Sequence, residues 1–266
     1  MMQEQLWPLI QAVRAQAPLV QNITNFVVMN NTANALLAVG ASPIMAHAHP
    51  EIPQMLAICQ ALVVNIGTLD DYWAEAMRLA AAEAQRLGKP WVLDPVGAGA
   101  TPYRNELLTQ LLPHRPTIIR GNASEILALA GLSATTKGVD STVASTEALG
   151  AARALHAQTG ATVCVSGAVD LVVRGTQVAY VANGSPLMTK VTGLGCSATA
   201  VLGAFAALNA PDAFAAAAAG VALFSVAGEL AAAGAAGPGS LQVRLLDALS
   251  SLTEAEFMGR LQLTVS

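Results

Sequence analysis

ALVVNIGTLDDYWAEAMRLAAAEAQRLGKPWVLDPVGAG (residues 61–99) reads as strand, helix and strand in succession. Residues 61–66 form a short apolar run rich in valine and closed by Gly67, the length and composition of a buried strand. Asp70 or Asp71 then caps a helix that runs to about Leu87. Gly88 stands where a chain leaving a helix needs a residue free of steric restriction. Residues 91–93 form the next strand, which runs into Asp94-Pro95.

The same alternation extends in both directions. Helical patterns cover residues 3–17, 26–39 (ended by Gly40), 106–112, 123–130 (ended by Gly131) and 146–159. Strands are predicted at 117–119 and 162–165, and residues 171–174 and 177–181 flank Gly175-Thr176 as a hairpin. Beyond these, helices dominate, over 196–208, 213–233 and 241–252. Strands alternating with helices imply an α/β fold with a mainly parallel sheet covered on both faces, and the hairpin adds an antiparallel edge. No Pro-, Gly- or Ser-rich linker and no fixed repeat divides the chain, so residues 1–266 are expected to form a single domain. Ligands of such sheets bind beyond the carboxyl ends of the strands, which directs attention to Gly67, Asp94, Arg120, Ser166 and the loop before Cys196.

Composition narrows the function classes. Hydrophobic residues make up 54% of the chain and charged ones 11%, with a net charge of −4 and no Lys/Arg cluster, so the footprint of a nucleic-acid binder is missing. No charged segment precedes an apolar stretch at Met1, and no secretory signal is visible. The alanine-rich run 213–228 lies between Asp212 and Glu229 and falls short of the roughly 20 residues of a membrane span, so a buried or interface helix is expected instead. Cys59, Cys164 and Cys196 fit no zinc spacing, and an odd count argues against a disulfide framework. A reducing, cytoplasmic setting is the simplest expectation.

Three segments carry chemistry. In MTKVTGLGCSATA (residues 188–200), Gly193 and Gly195 flank Leu194 at the start of a small-residue helix. Glycines permit close backbone approach, and unpaired N–H groups with the positive end of the helix dipole favour a phosphate. GLGCSA also fits a dinucleotide fingerprint, but the strand with an acidic end that must follow about 20 residues later is replaced by the helix at 213. In RGNASE (residues 120–125), Asn122 and Glu125 resemble a capping box, whereas Arg120 is not explained by capping and suits phosphate oxygens. Asp94, in VLDPVGAGA, is either a turn residue before Pro95 or a carboxylate for Mg²⁺, and with Glu125 it supplies the two acidic groups such an ion commonly uses beside phosphates. Met45, near Gly40 and Pro43, either lines a pocket or fills the core. His47 and His49 form an H-x-H pair with no evident third ligand.

In combination these segments resemble the ribokinase-like kinases, whose GAGD anion-hole motif is similar to GLGC and whose N-x-x-E motif matches NASE. The wider resemblance is to the hydroxyethylthiazole kinases. It rests on QNITNFVVMNNTANALLAVGASPIM, NIGTL, LDPVGAG, RGNASEILALAG, GVDST, PLMTKVTGLGCSATAV and GPGS, spread from Gln21 to Ser240. It implies a three-layer α/β/α fold and transfer of the γ-phosphoryl of ATP to 4-methyl-5-(2-hydroxyethyl)thiazole in thiamine biosynthesis or salvage. It further implies that Met45 and Gly193 contact the thiazole, that Arg120 and Ser166 contact ATP (with serine where a threonine is expected), and that Asp94 and Glu125 serve Mg²⁺. Gly193 and Gly195 would form the anion hole. Cys196 stands where related kinases carry a catalytic aspartate, and a helix N-terminus there can make a thiolate available. The resemblance also implies a homotrimer. Rival readings are an ATP- or ADP-dependent dehydratase of the same fold, a kinase of another alcohol such as a hydroxymethylpyrimidine, and a nucleotide-binding regulator without catalysis.

Overall fold

The computed structural model describes residues 2–132 and 143–266, with no side-chain detail for 143–145; the GVDST segment lies outside the described residues. The quoted strand–helix–strand unit is present as β3 (Ala61–Asn65), α4 (Asp71–Leu87) and β4 (Trp91–Asp94). Asp70 is the N-cap of α4, its carboxylate accepting from the Trp73 N–H, and Gly88 leaves the helix in the left-handed region at φ 64°.

The other elements follow in chain order: α1 (Met2–Gln16), β1 (Leu19–Ile23), α2 (Met29–Ala38), β2 (Ser42–Ile44) and α3 (Ile52–Ile58) precede the unit. After it come α5 (Pro102–Leu111), β5 (Ile118–Asn122), α6 (Ala123–Gly131), α7 (Val143–Thr159), β6 (Thr162–Ser166), β7 (Asp170–Arg174) and β8 (Gln177–Val181). The chain closes with α8 (Leu194–Asn209), α9 (Ala213–Ala233), α10 (Pro238–Ser251), α11 (Glu254–Arg260) and β9 (Leu263–Val265).

The strands form one sheet in the order β2-β1-β3-β4-β5-β6-β7-β8-β9. It is parallel from β2 to β6 and antiparallel from β6 to β9, so the antiparallel edge is one strand wider than the hairpin alone. One face is covered by α1, α2 and α8–α11, the other by α3–α7, and each interface holds its own apolar core. The architecture is the ribokinase-like α/β/α sandwich. Because β1 has β2 on one side and β3 on the other, the direction of winding reverses there, and ligands of such sheets bind beyond the carboxyl ends of the strands.

Three strands and two short helices escaped sequence reading. In β1 the alternation is hidden by Gln21 and Asn22, which are fully buried. β2 contains Pro43, tolerated because the strand is an edge. The apolar run at the start of α9 is a core helix, with nearly all of its first sixteen residues buried.

Close packing of α8 on the sheet depends on Gly203, where a Cβ would stand 2.5 Å from Val63 Cγ2 and 3.1 Å from Val20 Cγ1. Gly203→Ala is expected to destabilise the protein by about 1–3 kcal/mol. Gly150→Ala, on α7 with open space around it, should instead stabilise by about 0.5–1 kcal/mol. Thermal unfolding of both variants checks the pair; equal effects would mean that α8 does not sit this close.

Candidate active site

The N-terminal turn of α8 points into the crevice. Gly193, its N-cap, has φ 80°, and a Cβ there would lie 2.5 Å from Val28 Cγ1, so both backbone conformation and space require glycine. The first intrahelical bond is donated by Ser197 to the Gly193 carbonyl, and no side chain caps the turn. The N–H groups of Leu194, Gly195 and Cys196 therefore remain available for an anion. Gly195 has no positive φ; its requirement is steric, since a Cβ would meet Arg120 Nη1 at 2.7 Å.

Arg120 emerges near the end of β5 against that turn. Among the described residues its guanidinium makes no hydrogen bond or ion pair, and it lines a cavity where it can donate to a ligand. Arg120, Ser166 and Gly195 share the wall of a cavity of about 630 Å³ that continues along Asp170, Asn183 and Phe224. Ser166 Oγ donates to the Gly121 carbonyl at 3.4 Å, joining the ends of β5 and β6. Asp170, unnoticed in the sequence, holds the adjoining loop: its carboxylate accepts from the Gly167 N–H at 3.0 Å and from Ser225 Oγ at 2.8 Å. Burial pushes its pKa up.

Asp94 ends β4 at 1% exposure. Its Oδ2 accepts from Asn65 Nδ2 at 2.7 Å and from Thr199 Oγ1 at 2.8 Å, while Oδ1 has no partner among the described residues. Burial raises its pKa to about 6, against the opposing pull of Arg120 and the Thr199 hydroxyl. Asn65 in turn accepts from Asn25 Nδ2 at 2.8 Å, and the same Asn25 amide lies 3.6 Å from Cys196 Sγ. The Cys196 thiol is pushed up to about 11, by burial first and by Asp94 second, so it is a neutral thiol near pH 7. The shift runs opposite to the lowering that a helix N-terminus can supply, because burial disfavours the charged thiolate.

Glu125 forms the capping box read from the sequence, with Oε2 accepting from the Asn122 N–H at 2.9 Å. Oε1 accepts from the Gly97 N–H at 3.0 Å, so this carboxylate also ties α6 to the loop after β4, close enough to Asp94 to raise its pKa. Met45 is not brought to Gly193 by any described contact. It follows β2 on the same edge of the sheet, outside the cavity wall, while Gly193 packs on Val28 and Asn31. His47 lies tilted against Trp73 and His49 stacks on Tyr72, each with ring centroids 4.0 Å apart. Asn25, Asn65 and Thr199 were missed in the sequence. The available signal was a polar residue inside the apolar run ALVVNI, and a threonine one turn beyond Cys196.

An ionised Asp94 is destabilising in the folded state. Its folded pKa near 6 exceeds an ordinary 3.8, so the cost is nil below about pH 4 and complete above pH 6. Two units correspond to about 3 kcal/mol. Asp94→Asn is therefore expected to raise the melting temperature of the ligand-free protein at pH 7.5 by on the order of 5 °C, the gain fading toward pH 4. A gain independent of pH would rule out this origin.

Residues 10–255 match the hydroxyethylthiazole kinase family. A hydroxyethylthiazole kinase from Leptothrix cholodnii is 56% identical, over 98% of this chain and 95% of that one. Another, from Vibrio parahaemolyticus, is 51% identical over the whole of both chains. The solved structure of a hydroxyethylthiazole kinase protein from Pyrococcus horikoshii superposes with a TM-score of 0.92 at 40% identity, covering 99% of each chain. The pyridoxal kinase of Staphylococcus aureus shares the fold at a TM-score of 0.66 and 17% identity, covering 94% of this chain and 98% of that one. With its family match over most of its length and relatives this similar, the chain belongs to the hydroxyethylthiazole kinase family.

Proposed function

We propose that this kinase transfers the γ-phosphoryl group of ATP to the hydroxyl of 4-methyl-5-(2-hydroxyethyl)thiazole, in thiamine biosynthesis or salvage. The observation that carries the reading is the uncapped first turn of α8 lying against the Arg120 guanidinium on the wall of the 630 Å³ cavity. Phosphoryl transfer proceeds through a loose transition state, so positioning and charge stabilisation do most of the work. The cavity beside Ser166 takes the nucleotide, and Arg120 neutralises its phosphates. The Leu194, Gly195 and Cys196 amides stabilise charge on the moving group. The alcohol oxygen bonds to the γ-phosphorus, the bond to the bridging oxygen of ADP breaks, and the hydroxyl proton is released. Little early deprotonation is needed, which suits a neutral Cys196 thiol beside the acceptor rather than a strong base.

The residues fit a Mg²⁺ ion: Asp94 has one oxygen without a partner among the described residues, and Glu125 is its acidic neighbour. Mg²⁺ commonly takes one or two carboxylates and completes its shell with phosphate oxygens. Such an ion would offset the charge of the phosphates. Residues 1–266 act as one kinase domain, with Met45 and Gly193 on the acceptor side. A homotrimer in the cytoplasm is the proposed state. Phe26 and Val27 support it, since they directly follow Asn25 at the crevice yet are 54% and 59% exposed, and a neighbouring subunit would cover them.

Purified protein supplied with ATP, Mg²⁺ and a panel of alcohols tests the activity. The thiazole alcohol should be turned over at least tenfold faster, in kcat/KM, than hydroxymethylpyrimidine or pyridoxal. Comparable turnover of either would overturn the substrate assignment.

A further inference from the structure

Asn65 lies at the carboxyl end of β3, 1% exposed, and all of its side-chain hydrogen bonds stay within the crevice. Its amide nitrogen donates to Asp94 Oδ2 at 2.7 Å. Its amide oxygen accepts from Asn25 Nδ2 at 2.8 Å and from the Gly67 N–H at 3.0 Å. Asn25 continues the chain to Cys196 Sγ, and its own Oδ1 accepts from the Val27 N–H at 3.1 Å. The rest of the NIGTL segment grips the same loop. Thr68 Oγ1 accepts from the Phe26 N–H at 2.9 Å, and a Cβ on Gly67 would lie 2.4 Å from the Asn25 side chain.

We propose that Asn65 is a positioning residue that couples the two halves of the reaction centre, holding the Asp94 carboxylate with its donor end and Asn25, which reaches Cys196, with its acceptor end. The inference rests on the phosphotransfer reading above. An amide is the side chain that presents a donor and an acceptor from one rigid plane. A carboxylate at 65 would face Asp94 with like charge, and an apolar residue would strand Asp94, Asn25 and the Gly67 N–H at once. Thr199 contributes only to the first half, because its hydroxyl reaches Asp94 Oδ2 and, within its own helix, the Gly195 carbonyl. Asp94 Oδ2 thus has two donors, one from the sheet and one from α8. Together they fix which oxygen turns toward the phosphates.

Asn65→Leu, Thr199→Val and the double variant separate the two halves. With saturating ATP and Mg²⁺, Asn65→Leu should lower kcat about 100-fold and raise the acceptor KM about tenfold. Thr199→Val should lower kcat about fivefold and leave the acceptor KM within twofold of the wild type. The double variant should match Asn65→Leu within threefold, since the Asp94 oxygen has already lost its placement. Direct calorimetric titration of the thiazole alcohol into nucleotide-free protein should show the weaker binding for Asn65→Leu alone of the two single variants. If Asn65→Leu does not fold, Asn65→Ala carries the same comparisons. The proposal is overturned if Asn65 variants stay within threefold of wild type, if the losses multiply in the double variant, or if Thr199→Val weakens acceptor binding equally. A wild-type protein inactive on the alcohol would instead defeat the activity reading, leaving the binding comparison to judge the coupling.

Discussion

The Asp94 carboxylate is buried, and a buried charge persists only where neighbouring groups hold it. Asn65 reaches it from β3, Thr199 from α8, and the positive charge of Arg120 lies near enough to lower its pKa. Satisfying that one group therefore fixes the relative positions of three strands and a helix. It draws the first turn of α8 down onto the carboxyl edge of the sheet, and the rest of the crevice takes its shape from that approach.

The glycines follow from the same approach. Gly203 lets α8 lie against Val63 and Val20, Gly193 lets its first turn clear Val28, and Gly195 leaves room for the Arg120 guanidinium. The outcome is a row of uncapped amides beside an arginine that has no hydrogen bond or ion pair among the described residues, on the wall of the cavity. In water such amides would be hydrated. In the cavity walled by α8, α9 and the ends of β5 and β6 they would, on the proposed reading, be preorganised for charge that develops during phosphoryl transfer. The neutral thiol of Cys196 is consistent with a centre that works by placement more than by proton abstraction.

Much of this was legible in the sequence, for identifiable reasons. The β3–α4–β4 unit announces itself because Asp70 and Gly88 are local signals whose meaning does not depend on distant contacts. GLGC and NASE announce themselves because glycines and scarce charges mark strand and helix ends. β1 was hidden because Gln21 and Asn22 are polar residues buried by tertiary structure, with amides directed to the Ala46 and Val20 carbonyls. Asn65 was read as one residue of an apolar strand, since only the register of β3 against β4 places it opposite Asp94. The upward shift of the Cys196 thiol was not legible, because desolvation depends on what packs around the thiol, which spacing along the chain does not reveal.

The central claim is that the transferred phosphoryl group sits between the first turn of α8 and Arg120. A crystal structure with a non-hydrolysable ATP analogue tests it most directly. The terminal phosphate should accept hydrogen bonds from the Leu194–Cys196 amides and from the Arg120 guanidinium, with the nucleoside in the cavity beside Ser166. Phosphates bound elsewhere, for example at the N-terminus of α4, with the α8 turn left out of contact, would contradict it.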